Sequence, residues 1–397
     1  MKNKIGIIGG GQLGRMLSLA AKPLGFEVHI LDPKENCPAS QVADKHTVGD
    51  FKDKEAVLDF ASDMDFITYE IESANTEAIE EIYNKHHNNS KTRVIPYPKS
   101  LELVKDKFKQ KDLFAKYHIP VSNYREIKSR EDIVNFAHEH GYPFMLKARL
   151  NAYDGRGNAV INYASEIDNA LIQLGANKSS SSHLEDTYLF DYSNLYLESF
   201  VDFDKELAIV AVRSVDNEMK FYPVVETVQE DNICNLAFAP ALVTDTVIEE
   251  VKLIATKAAE ALDYVSVFAI EFFLSKSGDV ILNEIAPRVH NSGHFTIEAC
   301  KTSQFEQHIR ALTNLPLGST ELISPAVMVN ILANKVAHLD IYGRDEVLAL
   351  ENTFLHIYGK DMCKPARKMG HITVLDQDLK LALNKAKLAA SKLKLHG

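Results

Sequence analysis

Cysteine is scarce in this chain: four residues among 397, at Cys37, Cys234, Cys300 and Cys363. They are scattered and form no metal-type spacing. Neither a disulfide scaffold nor a thiolate metal site is indicated, and reduced thiols in a cytoplasmic protein are the simplest reading. Long apolar runs are missing too; none reaches the length that crosses a bilayer, so no membrane association is expected. The N-terminus meets glycine at Gly6, within Ile5-Gly6-Ile7-Ile8, too soon for a signal peptide. Positive charge is in deficit, with 44 Lys and Arg against 55 Asp and Glu and a formal net charge of −11. That balance argues against a general nucleic-acid binder. There is no internal repeat. The one low-complexity stretch, Asn177-Lys178-Ser179-Ser180-Ser181-Ser182, reads as an exposed loop.

What is present suits a globular enzyme. Hydrophobic residues at 46% can build a core, and the length implies two or three domains. The first hundred residues alternate strand and helix patterns. Ile5-Gly6-Ile7-Ile8, Val28-His29-Ile30-Leu31, Phe66-Ile67-Thr68-Tyr69 and Val94-Ile95-Pro96 read as strands, and Gln12 to Leu24 as a helix. Such alternation predicts a parallel, Rossmann-like sheet. Gly9-Gly10-Gly11-Gln12-Leu13-Gly14 matches G-x-G-x-x-G, and Asp32 ends the second strand. The motif fits NAD binding, another phosphorylated ligand, or a merely structural turn. A nicotinamide-dependent dehydrogenase therefore stays open at this point.

The middle of the chain changes character. Ser100 to Tyr117 reads as one lysine-rich helix carrying Lys105, Lys107, Lys109 and Lys111, most of them on a solvated face. Ser129 to Glu139 is a second helix, and Pro143 to Lys147 a strand ending in a lysine, a type of residue that more often lies on the surface than on a ligand. Next comes Asn151-Ala152-Tyr153-Asp154-Gly155-Arg156-Gly157-Asn158. Glycines beside Asp and Arg suit either a plain turn or a loop that closes over phosphates. Tyr196 to Ser199, Glu206 to Val212 and Tyr222 to Val225 are strand candidates, and Val247 to Leu262 is an amphipathic helix.

Two further strand-like runs, Val267 to Leu274 and Val280 to Leu282, flank Ser277-Gly278. Read as a two-residue hairpin loop, that pair sets Glu271 opposite Glu284. Cβ atoms of directly opposed residues are about 4.5–5.5 Å apart, so two carboxylates there repel unless a cation lies between them. A hard divalent ion would suit their oxygens. Solvated glutamates on an open sheet face are the alternative, and a three-residue loop would shift the register and separate the two. The stretch that follows, Asn283 to His294, packs a carboxylate, an arginine, two histidines and two asparagines into a dozen positions.

Lys147, the Tyr153-Asp154-Gly155-Arg156-Gly157 loop, Glu198 to Val201, Glu271 and Asn283-Glu284 together resemble the ATP-grasp enzymes. Within them, Gly10 to Met16 and Ala286-Pro287-Arg288-Val289-His290-Asn291-Ser292-Gly293-His294 are similar to the 5-(carboxyamino)imidazole ribonucleotide synthases of purine biosynthesis. The likeness runs from about Lys4 to Thr373. It implies an α/β and α+β fold: a Rossmann-like domain over 1–104, an ATP-grasp domain over 105–312 with a lid near 119–195, and a small β-rich C-terminal subdomain over 313–397. It implies ATP with Mg²⁺, or Mn²⁺ in its place, bicarbonate, 5-aminoimidazole ribonucleotide, and a cytoplasmic homodimer.

The resemblance also implies residue roles. Lys107 and Lys147 would bind ATP phosphates, covered by Ala152, Tyr153, Asp154, Gly155, Arg156, Gly157 and Asn158. Glu198, Ser199, Phe200 and Val201 would line the adenine pocket and Glu206 would hold the ribose. Glu271 and Glu284 would bind the metal, with Asn283 nearby. Arg288, His290 and Asn291, with Tyr153 and Arg156, would surround bicarbonate. Gly11, Gln12, Leu13, Asp32 and Glu70 would contact the ribonucleotide, and Lys360 and Arg367 its phosphate. Three positions depart from the family pattern: Ala152 and Ala366 where glycine is usual, and Gln229, an ATP contact in relatives, where histidine is usual. Another ATP-grasp carboxylate–amine ligase, or a non-catalytic nucleotide sensor on the same fold, would share most of these features.

Overall fold

A computed structural model describes residues 3–87, 92–150, 157–176, 178–179, 189–230 and 233–396. The N-terminal part is a parallel five-stranded sheet in the order Lys45–Val48, Glu27–Asp32, Lys4–Ile8, Phe66–Tyr69, Arg93–Val94. Its central strand, Lys-Ile-Gly-Ile-Ile, is apolar because helices cover both faces of a parallel sheet. The edge strand Lys45–Val48 has no apolar alternation and half-exposed residues, so hydrophobic patterning does not reveal it.

The lysine-rich segment is two helices, Pro98–Lys105 and Lys107–Lys116, rather than one. Asp106 between them is extended, and its carboxylate accepts the amides of Phe108 (3.0 Å) and Lys109 (3.2 Å). That is an N-cap, which starts a new helix at the point where periodicity alone predicts continuation. Arg149 closes on the same carboxylate with two donors, at 2.7 and 3.2 Å.

Next comes an antiparallel four-stranded sheet, ordered Tyr124–Glu126, Leu195–Ser199, Phe144–Ala148, Asn158–Ile161. Helices Arg130–His140 and Ile167–Gln173 cover it, the first opened by a Ser129/Asp132 capping box. Lys178–Ser179, inside the serine-rich stretch, pairs with Leu189–Phe190 and so is not wholly loop.

The centre is a nine-stranded sheet. From its edge it runs Val280–Ala286, Ser266–Ser275, Phe203–Arg213, Val225–Glu230, Ile233–Ala239, Ala326–Leu332, Lys368–Leu375, Thr353–Ile357, with Met219–Phe221 paired beside Phe203–Arg213. Period-two alternation divides its faces. Leu207, Ile209, Phe268, Ile270 and Phe272 pack against helix Asp245–Ala261. Val210, Val212, Val267 and Ala269 share a core with Ile5, Leu13 and helix Gln304–Thr313. Further along that second face the same rows carry Glu206 and Glu271, so the core gives way to an acidic floor. The β-rich C-terminal part does not build its own major sheet; its strands extend this one through Leu236 opposite Val329. Among the described residues, no helix is long and apolar enough to cross a membrane.

Ala366 lies in the left-handed region at φ 66°, its amide bonded to the Ala333 carbonyl at 2.9 Å. A glycine at this position avoids the Cβ clash, which costs roughly 1–2 kcal/mol in that region. Ala366→Gly should therefore stabilise the protein by about 1 kcal/mol in urea unfolding, since part of the gain is lost to the freer unfolded chain. An unchanged or lower midpoint would mean the turn carries no such strain.

Candidate active site

The hairpin that bears the glutamates closes differently from the sequence expectation. Gly278 donates to the Ser275 carbonyl (3.0 Å) and Ser275 to the Asp279 carbonyl (2.9 Å), with Gly278 at φ 94°. The loop is therefore three residues, Lys276-Ser277-Gly278, with glycine in the left-handed position. Leu274, Phe273 and Phe272 face Val280, Ile281 and Leu282, one step off the expected register. A bulge at Asn283 inserts the missing step, and Glu271 faces Glu284 after all.

Lys107, the first residue of its helix, reaches across to an ion pair with Glu284. Burial alone would raise both acids. Lys107 more than offsets this at Glu284, which lies below the usual carboxylate range. Glu271, buried beside the Glu284 charge, is pushed up to about 7. One carboxylate thus stays ionised while its neighbour keeps a proton, as opposed acids do. His290 Nε2 is 3.6 Å from Glu271. Its Nδ1 accepts from the Ser292 amide (3.3 Å) and lies 2.9 Å from the Ser292 hydroxyl, which puts the ring proton on Nε2. Burial, Arg288 and Lys368 bring His290 down to about 3, so the ring is neutral.

Next to this pair is a buried carboxylate with two lysines. Glu198 accepts from Lys111 (3.1 Å) and Ser122 on Oε1, and from Lys147 (3.0 Å) and Tyr196 (3.1 Å) on Oε2. Burial would raise its carboxyl, yet these donors hold it at about 2. Lys107, Lys111, Lys147, Asn158, Tyr196, Asn283 and Glu284 line one small cavity of about 40 Å³. Beside it, Phe203 stacks on Phe273 at 4.8 Å, and Glu206 faces Phe273 across the sheet. Burial pushes Glu206 up to about 7. Phe200 is exposed, while Ser199 and Val201 are half-buried at the end of the Leu195–Ser199 strand. Gln229 follows a bulge in its strand.

The glycine turn is occupied by the protein's own acids. Gly10 donates to Asp32 (2.8 Å), whose other oxygen accepts the Lys34 amide (2.9 Å), and Gly11 donates to Glu70. A Cβ on Gly11 would lie 2.5 Å from the Glu70 carboxylate, so glycine serves a close approach by an acid. These amides are what a dinucleotide fold offers to a pyrophosphate. Two carboxylates in that place repel one, and the dehydrogenase reading loses its phosphate site. Burial pushes Glu70 up to about 7 against the pull of the Gly11 amide and Arg288.

Asn291 and Arg288 already have protein partners. Asn291 is buried, and its amide pairs reciprocally with Asn330 at 2.9 and 2.7 Å. Arg288 bonds Glu72 (2.8 Å) and the Val289 carbonyl, so it joins the central sheet to the N-terminal domain. Lys360 donates to the Lys368 carbonyl (2.6 Å) and Arg367 to the Met362 carbonyl (2.9 Å). Ala152, Tyr153, Asp154, Gly155 and Arg156 lie outside the described residues. Sequence reasoning missed Lys111, Glu72 and Lys368. Lys111 had a signal, four residues from Lys107 on one helix face. Lys368, adjacent to Arg367, acts on both Glu271 and His290.

A carboxylate-bearing sheet facing a small antiparallel sheet, with Lys147 of the small sheet and Lys107 and Lys111 of the helix Lys107–Lys116 at the cleft, defines an ATP-grasp protein. Residues 112–305 match the ATP-grasp domain, 1–105 the ribonucleotide synthetase preATP-grasp domain, and 326–385 the phosphoribosylaminoimidazole carboxylase C-terminal domain. The N5-carboxyaminoimidazole ribonucleotide synthase of Bacillus subtilis is 35% identical, over 94% of this chain and 91% of that protein. The solved synthetase from Thermotoga maritima is 42% identical with a TM-score of 0.85, covering 100% and 99% of the two chains. An Aspergillus clavatus synthase in complex with ADP and 5-aminoimidazole ribonucleotide is 35% identical, with a TM-score of 0.85 over 98% of each chain. The phosphoribosylaminoimidazole carboxylase of Ogataea methanolica is 38% identical, and the chain spans 67% of its length; it spans 64% of the Candida albicans relative. The chain belongs to the N5-carboxyaminoimidazole ribonucleotide synthase family of ATP-dependent ligases.

The Glu271 shift has a measurable sign. Its folded value, about 7, exceeds the ordinary 4.5, so the folded state holds the proton more tightly. That contribution to stability is fully present below the ordinary value and lost as pH rises through about 7. Without divalent metal, Glu271→Gln should melt above the wild type at pH 8, and the gap should close as pH falls below the ordinary value of 4.5. A gap independent of pH would show that Glu271 does not titrate in this range.

Proposed function

We propose that the protein converts ATP, bicarbonate and 5-aminoimidazole ribonucleotide into ADP, phosphate and the N5-carboxylated ribonucleotide, as a step of purine biosynthesis. The observation that carries this reading is the Glu271–Glu284 opposition, with Lys107 and Lys147 beside it, in a chain of this family. Bicarbonate is a poor electrophile. Its oxygen would attack the γ-phosphorus, the bond to the ADP oxygen would break, and carboxyphosphate would form. The ribonucleotide amine would then attack the carbonyl carbon, phosphate would leave, and the amine would lose a proton.

Phosphoryl transfer asks the protein for alignment and charge neutralisation rather than a covalent partner. Lys107 and Lys147 would bind phosphate oxygens, and the Phe203–Phe273 stack and Glu206 would border the nucleoside. Two opposed carboxylates fit a hard, oxygen-bound ion such as Mg²⁺, which supplies charge neutralisation when bound. Among the described residues no group of three or more His, Cys, Asp or Glu could hold a metal. The ion would thus share its shell with ATP phosphates. His290, neutral and with its proton on Nε2, would donate to the bicarbonate or carboxyphosphate oxygens, and Arg288 would add its charge. Gly11, Gln12, Leu13 and Glu70 would face the ribonucleotide. The 359–361 turn docks on the N-terminal domain through Gln41–Gly359 (2.7 Å) and Lys34–Asp361 (2.8 Å), which supports Lys360 and Arg367 beside that substrate. A cytoplasmic homodimer completes the proposal.

ADP release that needs both bicarbonate and the aminoimidazole ribonucleotide is the direct test; release indifferent to either would overturn the reading. Glu284→Gln should abolish turnover in a folded protein. Activity above about a tenth of wild type, a barrier change under roughly 1.4 kcal/mol, would sink the metal role of Glu284. Arg367→Ala should raise the ribonucleotide KM about tenfold or more, the scale of a charged hydrogen bond, and leave the ATP KM nearly unmoved. The opposite pattern would assign Arg367 to the nucleotide.

A further inference from the structure

Lys111 has no place in the reaction outlined above. It is a buried cation, with its side chain 2% exposed, in contact with a carboxylate equally buried, Glu198. Burying such a pair costs several kcal/mol of desolvation per ion, so a position kept charged needs a reason. The contacts around Glu198 suggest one. Each of its oxygens has two donors: Lys111 and Ser122 on Oε1, Lys147 and Tyr196 on Oε2. One negative charge therefore faces two positive ones. The lysines differ in access. Lys147 is 13% exposed, while Lys111 lies 2% exposed at the inner wall of the cavity and also donates toward Ser122 (3.2 Å) and the Asn283 carbonyl (3.4 Å).

We infer that Lys111 is a positioning residue, the standing counter-ion of Glu198 that frees Lys147 to leave that carboxylate for the ATP phosphates. This rests on the ATP-site reading above. With Lys111 in place, departure of Lys147 leaves Glu198 with Lys111, Ser122 and Tyr196 as partners, a neutral pair. Without Lys111, the same departure strands a buried carboxylate, whose isolation is strongly unfavourable. Glu198 would then hold Lys147 back. Lys111 acts on the nucleotide only through this shared partner. Its helix places it one turn from Lys107, so the same element supplies one cation for phosphate and one held by Glu198.

The test is ATP binding by calorimetry on the full-length protein, with wild type alongside, and thermal melting of each variant. Lys111→Met should weaken ATP binding about tenfold or more, the scale of one charged contact, without a matching loss in kcat at saturating ATP. Glu198→Gln in the same chain should restore binding to within about threefold of wild type, because no charge then detains Lys147. If Lys111→Met does not fold, Lys111→Gln takes its place: a tenfold loss of ATP affinity supports the inference, and unchanged affinity overturns it. ATP affinity unchanged in Lys111→Met, or a double variant as weak as the single one, also overturns it. Wild type failing to bind ATP would instead bring down the ATP-site reading itself.

Discussion

Two carboxylates held opposite one another across a sheet repel, and the centre of this molecule is arranged around that repulsion. Glu271 and Glu284 cannot move apart, because register fixes them on one face. The free protein answers with one cation and one proton: Lys107 on Glu284, and a Glu271 carboxyl pushed up to about 7. The position of Lys107 follows from Asp106, which starts the helix and is clamped by Arg149. The Lys107 amide bonds the Arg149 carbonyl at 3.0 Å, so the helix and the end of the Phe144–Ala148 strand are tied together beside the charge they must neutralise. His290, neutral beside Glu271, can hydrogen-bond there without adding a charge that would compete with a metal.

The sequence made the composition of this site legible, but not all of its geometry. Opposition of Glu271 and Glu284 was foreseen from a two-residue loop, whereas the chain reaches it through a three-residue loop and a bulge at Asn283. Two single-residue irregularities cancel. A bulge depends on backbone packing as well as on side-chain type. Here Leu282 also bonds the Pro120 carbonyl at 2.8 Å, a contact 162 positions away that local reading does not contain. Phe203–Arg213, Ser266–Ser275 and Val280–Ala286 were legible as apolar runs, whereas Tyr222 to Val225 was expected as a strand and the strands are Met219–Phe221 and Val225–Glu230 instead. Lys45–Val48 was missed because an exposed edge needs no apolar face, and the break at Asp106 because a cap inside a lysine-rich run does not disturb periodicity. The C-terminal strands read as a separate unit because nothing local announces that they pair with Ile233–Ala239.

The glycine turn shows the limit most clearly. G-x-G-x-x-G fixes a backbone shape, and that shape can receive any acid. Here Glu70 arrives from 59 positions away and takes the Gly11 amide. The same amides that attract a pyrophosphate elsewhere are therefore satisfied internally. The motif marks a backbone shape, while the electrostatics of the turn come from a residue that the motif does not include.

Transfer of a carboxyl group between two substrates requires their sites to keep a fixed separation, since misplacement by an ångström forfeits much of the advantage of proximity. The seam between the N-terminal domain and the central sheet is built for that. Thr68 and Ser266 lie at 2.7 and 3.0 Å from the two nitrogens of His308, all three fully buried. Burial brings His308 down to about 3, so this link stays neutral and does not open with pH. Arg288 spans the same seam to Glu72, and a guanidinium keeps its charge throughout. On either side of these non-titrating links sit Glu70 and Glu271, each with a carboxyl pushed up to about 7. Carboxyls raised towards neutrality thus stand on both sides of a seam whose own links do not titrate there, so protonation of either acid leaves the junction between the two parts intact.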